Sequence, residues 1–223
     1  MGTLLGAIRD GRIIPWATDI DIGIWDKELD KVSKACEELR KKFFNIRISC
    51  DPTHVHIYIY RDGKKYLVDI TIYFLEGRDA ISAYMINPIY QRINMLFKYP
   101  IWLLSAPICI GDPPRYISYK LQMMLLKISY GLPFWLREKL TKALLRIFKI
   151  IGGRYVKIRV PLFYFENLSI IDFYGMKFKI PNKVEEYLKY RYGKDWRTPK
   201  KDWIYYEDDR AISKNLSSKQ KFM

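Results

Sequence analysis

Between Asp26 and Phe43, Leu29, Val32, Cys36, Leu39 and Phe43 recur at helical spacing, and charged residues fill most of the remaining positions. This stripe predicts an amphipathic helix with one face laid on a sheet. The period then falls to two. Val55, Ile57 and Ile59 alternate with His54, His56, Tyr58 and Tyr60, which predicts a strand with one face buried. Arg47–Cys50 reads as a short strand before it, and Lys65–Phe74 as the strand after it. Arg61-Asp62-Gly63-Lys64 between them reads as a hairpin turn, because Asp-Gly accepts positive φ. Near the start, Asp19-Ile20-Asp21-Ile22 shows the same alternation of acid and apolar residues.

The second half is less regular. Leu75–Pro114 mixes aromatics and prolines, with Ile108–Pro114 read as a loop. Tyr116–Tyr130 predicts a helix with Leu121, Met124, Leu125 and Ile128 on one side; Met123 and Met124 read as core filler. Leu132–Ile151 predicts a longer helix that starts at Pro133 and ends at Gly152-Gly153. Leu136, Leu140, Leu144, Ile147 and Ile151 line one face of it, and Lys139, Lys142, Arg146 and Lys149 the other. Phe134 and Trp135 stand at its entrance. Two readings fit that helix: an interfacial membrane helix, or a surface helix sealing the core. Val156–Phe165 and Leu168–Ile180 read as short strands, the second turning at Tyr174-Gly175. A final helix runs to about Tyr192, with Asn182 and Glu185 as a capping box and Gly193 as its stop. Lys214–Met223 reads as a frayed tail.

Together these elements predict an α+β protein, a mixed sheet flanked by helices. A single domain is expected over residues 1–223: a core sheet in 1–75, a helical segment in 115–152, further strands and a helix in 156–205, and a tail from 206. With 223 residues and 49% hydrophobic content, there is enough apolar material for a packed core. The net charge of +15 favours a polyanionic partner: a phosphorylated substrate, an anionic membrane surface or nucleic acid. Cys36, Cys50 and Cys109 are odd in number and lack metal-ligand spacing, which suggests a reducing compartment and no zinc site. No basic stretch followed by an unbroken apolar core opens the chain, so no signal peptide is expected. Ile93–Ile110, interrupted by Lys98, Pro100 and Pro107, is a poor spanning helix. The expected location is cytoplasmic, with peripheral contact at the inner membrane face.

Two features carry chemistry. In a strand, Asp19 and Asp21 project side by side, about 7 Å apart by strand rise. Adjacent carboxylates repel one another unless a cation lies between them. A hard ion such as Mg2+ suits oxygen ligands and brings substrate phosphates with it. Upstream, Gly2-Thr3 at a helix start can offer backbone N–H groups and a hydroxyl to a phosphate. Arg9 is a candidate phosphate clamp or a surface ion-pair residue.

The string GTLLGAIRDGRIIPWATDIDI, residues 2–22, resembles the LicD family of the nucleotidyltransferase superfamily, which includes the fukutin-related transferases. The later stretch IPNKVEEYLKYRYGKDW, with Trp196 and Pro199, resembles the end of the same family. The resemblance implies a Gly-Thr turn, the Asp19/Asp21 pair and a third acid on a later strand, assigned to Asp69 within Val68-Asp69-Ile70. It implies that all three acids hold Mg2+, with Mn2+ as a substitute. Gly2, Thr3, Arg9, Trp16, Tyr192 and Trp196 are its candidate nucleotide- and phosphate-binding residues; Tyr192 and Trp196 read equally well as core. Ala17 and Thr18 stand where the family usually carries two more acids, and the helix and strand that usually precede the Gly-Thr turn are not seen. The implied activity moves a phospho-alcohol, such as phosphocholine or ribitol phosphate, from a CDP-linked donor to a sugar hydroxyl of a glycan or glycolipid. Two alternatives stand beside it: a nucleotidyltransferase acting on RNA, for which no RNA-reading module is evident, and a non-catalytic membrane- or glycan-binding relic.

Overall fold

The computed structural model describes residues 2–43, 45–51, 53–86, 91–104, 112 and 117–212. Helix α1 (Gly2–Arg9) leads through a loop into strand β1 (Asp19–Trp25). A 3-10 turn at Asp26–Glu28 opens helix α2 (Leu29–Lys42). Strands β2 (Ile46–Cys50), β3 (His54–Arg61), β4 (Lys64–Glu76) and β5 (Asp79–Ile86) follow. Among the described residues the main sheet runs β2-β3-β4-β5-β6, where β6 is Arg154–Pro161, and β1 pairs with β4 off that path. The β1–β4 pairing is parallel and the other pairings are antiparallel. The sheet is therefore mixed and the fold α+β, as the sequence pattern predicts.

Alternation sorts the side chains of this sheet onto two faces. Ile48, Val55, Ile57, Ile70 and Ile72 are buried on one face against Cys36 of α2, with Leu29, Val32 and Leu39 packed around them. The helical stripe thus meets the period-two stripe, which is why both patterns are so clear in the sequence. Phe43 is the exception: it lies past the end of α2 in extended backbone and is exposed. The hairpin turn forms as expected, with positive φ at Asp62 and Gly63. Pairing of Arg61 with Lys64 sets the register of β3 on β4.

The region after Leu75 departs from expectation. It contains β5, in which Ala80, Ile81, Ser82 and Ala83 are all buried in succession. A strand covered on both faces has no alternation to read. Helix α3 (Gln91–Leu104) runs straight through Pro100. Burial of Ile101 and Trp102 and a salt bridge from Lys98 to Asp51 hold it despite the proline. Most of Ile108–Pro114 and all of Lys214–Met223 lie outside the described residues, as does Cys109. Cys36 is free, but Cys50 is disulfide-bonded, which corrects the expectation of unpaired thiols and removes its support for a reducing compartment.

Helices α4 (Tyr119–Gly131) and α5 (Phe134–Ile150) both pack on α3. β6 is shorter than the strand read from sequence and gives way to a short helix, α6 (Phe163–Glu166). Strands β7 (Ser169–Phe173) and β8 (Met176–Ile180) form a hairpin turning at Tyr174-Gly175. Helix α7 (Val184–Tyr192) ends at Gly193 as expected, but its cap differs. No side chain caps its N-terminus; Asn182 instead accepts a hydrogen bond from Ser169. A last short helix, α8 (Tyr205–Asp208), precedes the buried Asp209. Leu188 of α7 and Trp196 pack with Leu5 of α1 and Ile14, so the end of the chain backs its beginning.

Candidate metal centre

The sheet face opposite α2 carries the candidate chemistry. Asp21 of β1 lies directly opposite Asp69 of β4, and Asp19 is two residues along the same strand. One carboxylate oxygen from each of Asp19, Asp21 and Asp69 lies within 4.8 Å of the other two. Oxygens bound to one Mg2+ at about 2.0–2.1 Å stand about 3–4 Å apart, so small side-chain movements would bring three ligands onto one ion. Asp69 Oδ1 is buried without a hydrogen-bond partner. Its ion-pair neighbour His56 Nε2 stands 3.5 Å away, too far for a good hydrogen bond. A buried carboxylate oxygen left in that state is what a hard cation would satisfy. The donor set therefore fits a divalent, oxygen-seeking ion.

Thr3, in the first turn of α1, fixes Asp21. Its backbone N–H donates to Asp21 Oδ2 at 3.2 Å and its hydroxyl donates to the same oxygen at 3.3 Å. The hydroxyl in turn accepts from the Asp21 backbone N–H at 2.8 Å. Gly2 stands beside this contact; a Cβ there would lie 3.8 Å from Asp21 Oδ2. The Gly-Thr turn thus spends donors on a carboxylate of the acid cluster, and α1 is seated on β1 by doing so. Gly6 lets the chain return beneath α1, since a Cβ at that position would lie 2.5 Å from the Arg12 carbonyl oxygen.

The acids are not electrostatically equal. Burial, then the charges of Asp21 and Asp69, push the Asp19 carboxyl above its ordinary value. His56 is held below the usual histidine value, mainly by burial, against the opposing pull of Asp51 and Asp69. Its imidazole beside Asp69 is thereby kept neutral near pH 7. Asp51 takes part in a neighbouring buried network. It accepts from the backbone N–H groups of Thr53 at 3.0 Å and His54 at 2.8 Å, and from Lys98 Nζ at 3.0 Å. Burial alone would raise the Asp51 carboxyl, but the Lys98 charge and the contact with His54 hold it well below the usual carboxylate range.

The other sequence candidates fall in different places. Arg9, at the far end of α1, forms a two-pronged pair with Asp10, at 2.8 and 2.7 Å. Trp16 is exposed in the loop after α1, with Lys201 Nζ 5.5 Å from its ring centroid. Tyr192 packs beside the α1–α7 cluster, and Trp196 is buried inside it. Burial, and to a lesser degree the charge of Asp21, raise the Tyr192 phenol far above its ordinary value. These two aromatics support α1, which carries Thr3. His56, which the alternation marks only as a strand position, stands beside the acid cluster through its contact with Asp69. The signal was available: a two-residue turn pairing Arg61 with Lys64, counted back, puts His56 opposite Asp69.

A mixed sheet that presents three carboxylates from a parallel strand pair, with a Gly-Thr helix start against them, defines a nucleotidyltransferase-like domain. Residues 1–95 match the family model LicD, described as LicD/FKTN/FKRP, nucleotidyltransferase domain. Over these residues the chain is similar to that nucleotidyltransferase domain, and Asp19, Asp21, Asp69, Thr3 and His56 all lie within the matched stretch. Comparison with curated proteins gives no match.

Proposed function

We propose that the chain is a divalent-metal-dependent phosphotransferase, moving a phospho-alcohol from a CDP-linked donor to a sugar hydroxyl of a glycan or glycolipid. The observation that carries this reading is the convergence of Asp19, Asp21 and Asp69 within 4.8 Å inside a region matched to the LicD nucleotidyltransferase domain. In the reaction, the sugar oxygen forms a bond to the phosphorus bearing the alcohol, the bridging P–O bond breaks, and CMP leaves. The hydroxyl proton passes to a base on the acceptor side.

Asp19, Asp21 and Asp69 would hold the metal, which when bound supplies neutralisation of negative charge on the phosphates. Thr3 keeps Asp21 in a fixed rotamer through its hydrogen bonds. Asp69, with neutral His56 beside it, is placed to assist loss of the acceptor proton. No covalent nucleophile is required, because positioning and electrostatics carry this class of transfer. Arg9 is engaged by Asp10, so a role on phosphate would require it to exchange partners. Trp16 is accessible for a base or sugar, whereas Tyr192 and Trp196 act from behind α1.

The test is a screen of CDP-choline, CDP-ribitol and related donors, with CMP release followed in Mg2+ or Mn2+ and then after chelation. Metal-dependent CMP release with at least one donor is expected. Asp21→Asn should lower the rate by several orders of magnitude while far-UV circular dichroism stays unchanged. A folded Asp21→Asn protein turning over at the wild-type rate would remove the proposal.

A further inference from the structure

Sequence periodicity puts Leu136, Leu140, Leu144, Ile147 and Ile151 on one face of α5, and only part of that face is packed. Thr141 and Phe148 are buried, with Leu144 and Leu145 packed toward Phe97 and Ile101 of α3. That leaves Leu140, Ile147 and Ile150 outward, at 40%, 50% and 82% exposure. These positions, with exposed Ala143, lie at i, i+3, i+7 and i+10 and so share one face of the helix. Trp135 is 62% exposed at the start of the same helix. On α4, Leu121, Met124 and Ile128 repeat the pattern and are likewise exposed.

Charge decides what such a face can meet. Tyr119–Ile150 holds seven Lys or Arg residues and one acid, Glu138. Lys139, Lys142, Arg146 and Lys149 border the apolar row of α5 on one side, opposite the flank that packs on α3. A second copy of this chain would set two strongly positive faces against each other. Nucleic acid would satisfy the cations but leave the aliphatic row in water. An anionic bilayer surface satisfies both: the row sinks to the acyl boundary, the Lys and Arg stems reach lipid phosphates, and Trp135 sits at headgroup depth. No helix among the described residues is long and apolar enough to cross a membrane, so the helix would lie in the surface plane.

We infer that α5, supported by α4, is a monotopic docking element for an anionic lipid bilayer, with Leu140, Ile147 and Ile150 as its inserted row and Lys139, Lys142, Arg146 and Lys149 as its headgroup contacts. The inference does not depend on the transfer chemistry. α5 rests on α3, whose Lys98 is bonded to Asp51 at the β2–β3 junction, so the docking element is tied to the strand bearing His56.

The test is cosedimentation of the full-length protein with vesicles of phosphatidylcholine alone or with 30% phosphatidylglycerol, about the anionic fraction needed to show charge dependence. Wild type should pellet with the anionic vesicles and be released by salt. Ile147→Asp/Ile150→Asp should lose at least about tenfold in binding, and Lys139→Gln/Arg146→Gln should lose the preference for anionic lipid. Circular dichroism and thermal melting confirm that the variants are folded, as expected for exposed positions. Asp21→Asn should bind vesicles as wild type does, which separates this outcome from failure of the proposed transfer. Wild-type protein remaining in the supernatant with anionic vesicles overturns the inference. So does a wild-type dimer, by light scattering, that Ile147→Asp/Ile150→Asp converts to monomer.

Discussion

At the scale of single residues, the acid cluster is held together against its own repulsion. Asp19 bears the clearest sign of this, its carboxyl raised by burial and by Asp21 and Asp69. A carboxyl raised in the fold binds its proton more tightly there than in the unfolded chain. Its contribution to stability is therefore best below the unfolded value of about 3.9 and declines as pH rises through the folded one. In the absence of metal, Asp19→Asn is expected to raise the melting temperature at pH 7 and to leave it little changed near pH 3. Mg2+ or Mn2+ should raise the melting temperature of wild type at pH 7 but not that of Asp19→Asn. Differential scanning fluorimetry across pH, with and without chelator, checks both. Thr3 acts on the neighbouring acid. Thr3→Val keeps the shape but removes the hydroxyl that bridges the Asp21 N–H and carboxylate. A loss of about 1 kcal/mol in stability is expected, with a larger proportional fall in CMP release than in thermal stability. His56 shows how a residue legible as a type can be missed as a participant. Its strand position was clear, but its partner Asp69 lies 13 positions further on, and only the hairpin register brings the two together.

At the scale of elements, α2 and strands β2 to β4 could be read directly because each has one wet face and one dry one. The elements that escaped reading had lost that contrast. β5 is buried on both faces, and α3 crosses a proline that tertiary contacts override. α3 is fastened by Lys98 to Asp51, and this pair sets a testable pH dependence. Asp51 is held well below the usual carboxylate range, so its contribution is present above the unfolded value of about 3.9 and is lost as pH falls through the folded one. Asp51→Asn should flatten the acid limb of the stability curve below about pH 4, as followed by circular dichroism at stepped pH. Lys98→Met should destabilise the protein at neutral pH, because it leaves that carboxylate buried without its cation. For α5 the helical period left two readings of the apolar face open; the buried stripe centres on Thr141 and Phe148, since the contact with α3 selects the face.

At the scale of the whole molecule, the two ends of the chain form one support. Arg191 of α7 is buried and pairs with Asp209, its Nε donating to both carboxylate oxygens at 2.8 and 2.9 Å. It also donates to the Tyr187 hydroxyl at 2.9 Å. α7 in turn backs α1, which seats Thr3 on Asp21. Asp209→Ala should cost about 3–5 kcal/mol by leaving a buried guanidinium unpaired, measured by urea denaturation, and should lower turnover through α1 although Asp209 touches none of the three acids. Tyr192 and Trp196, read from sequence equally as core or as substrate contacts, take part in this support by packing with Leu5 and Leu188. The amino-acid order by itself determined strands β1 to β4, the first helix stripe, the turn at Asp62-Gly63 and the Asp19/Asp21 pair, because local periodicity and turn chemistry act over a few residues; Asp69 as the third acid was implied by the family resemblance, not by spacing. Only the tertiary structure decided that Asp21 faces Asp69, that Cys50 is bonded, and that α5 leaves an apolar row outward. Each of those depends on which distant surface a side chain meets, and no local pattern encodes that partner.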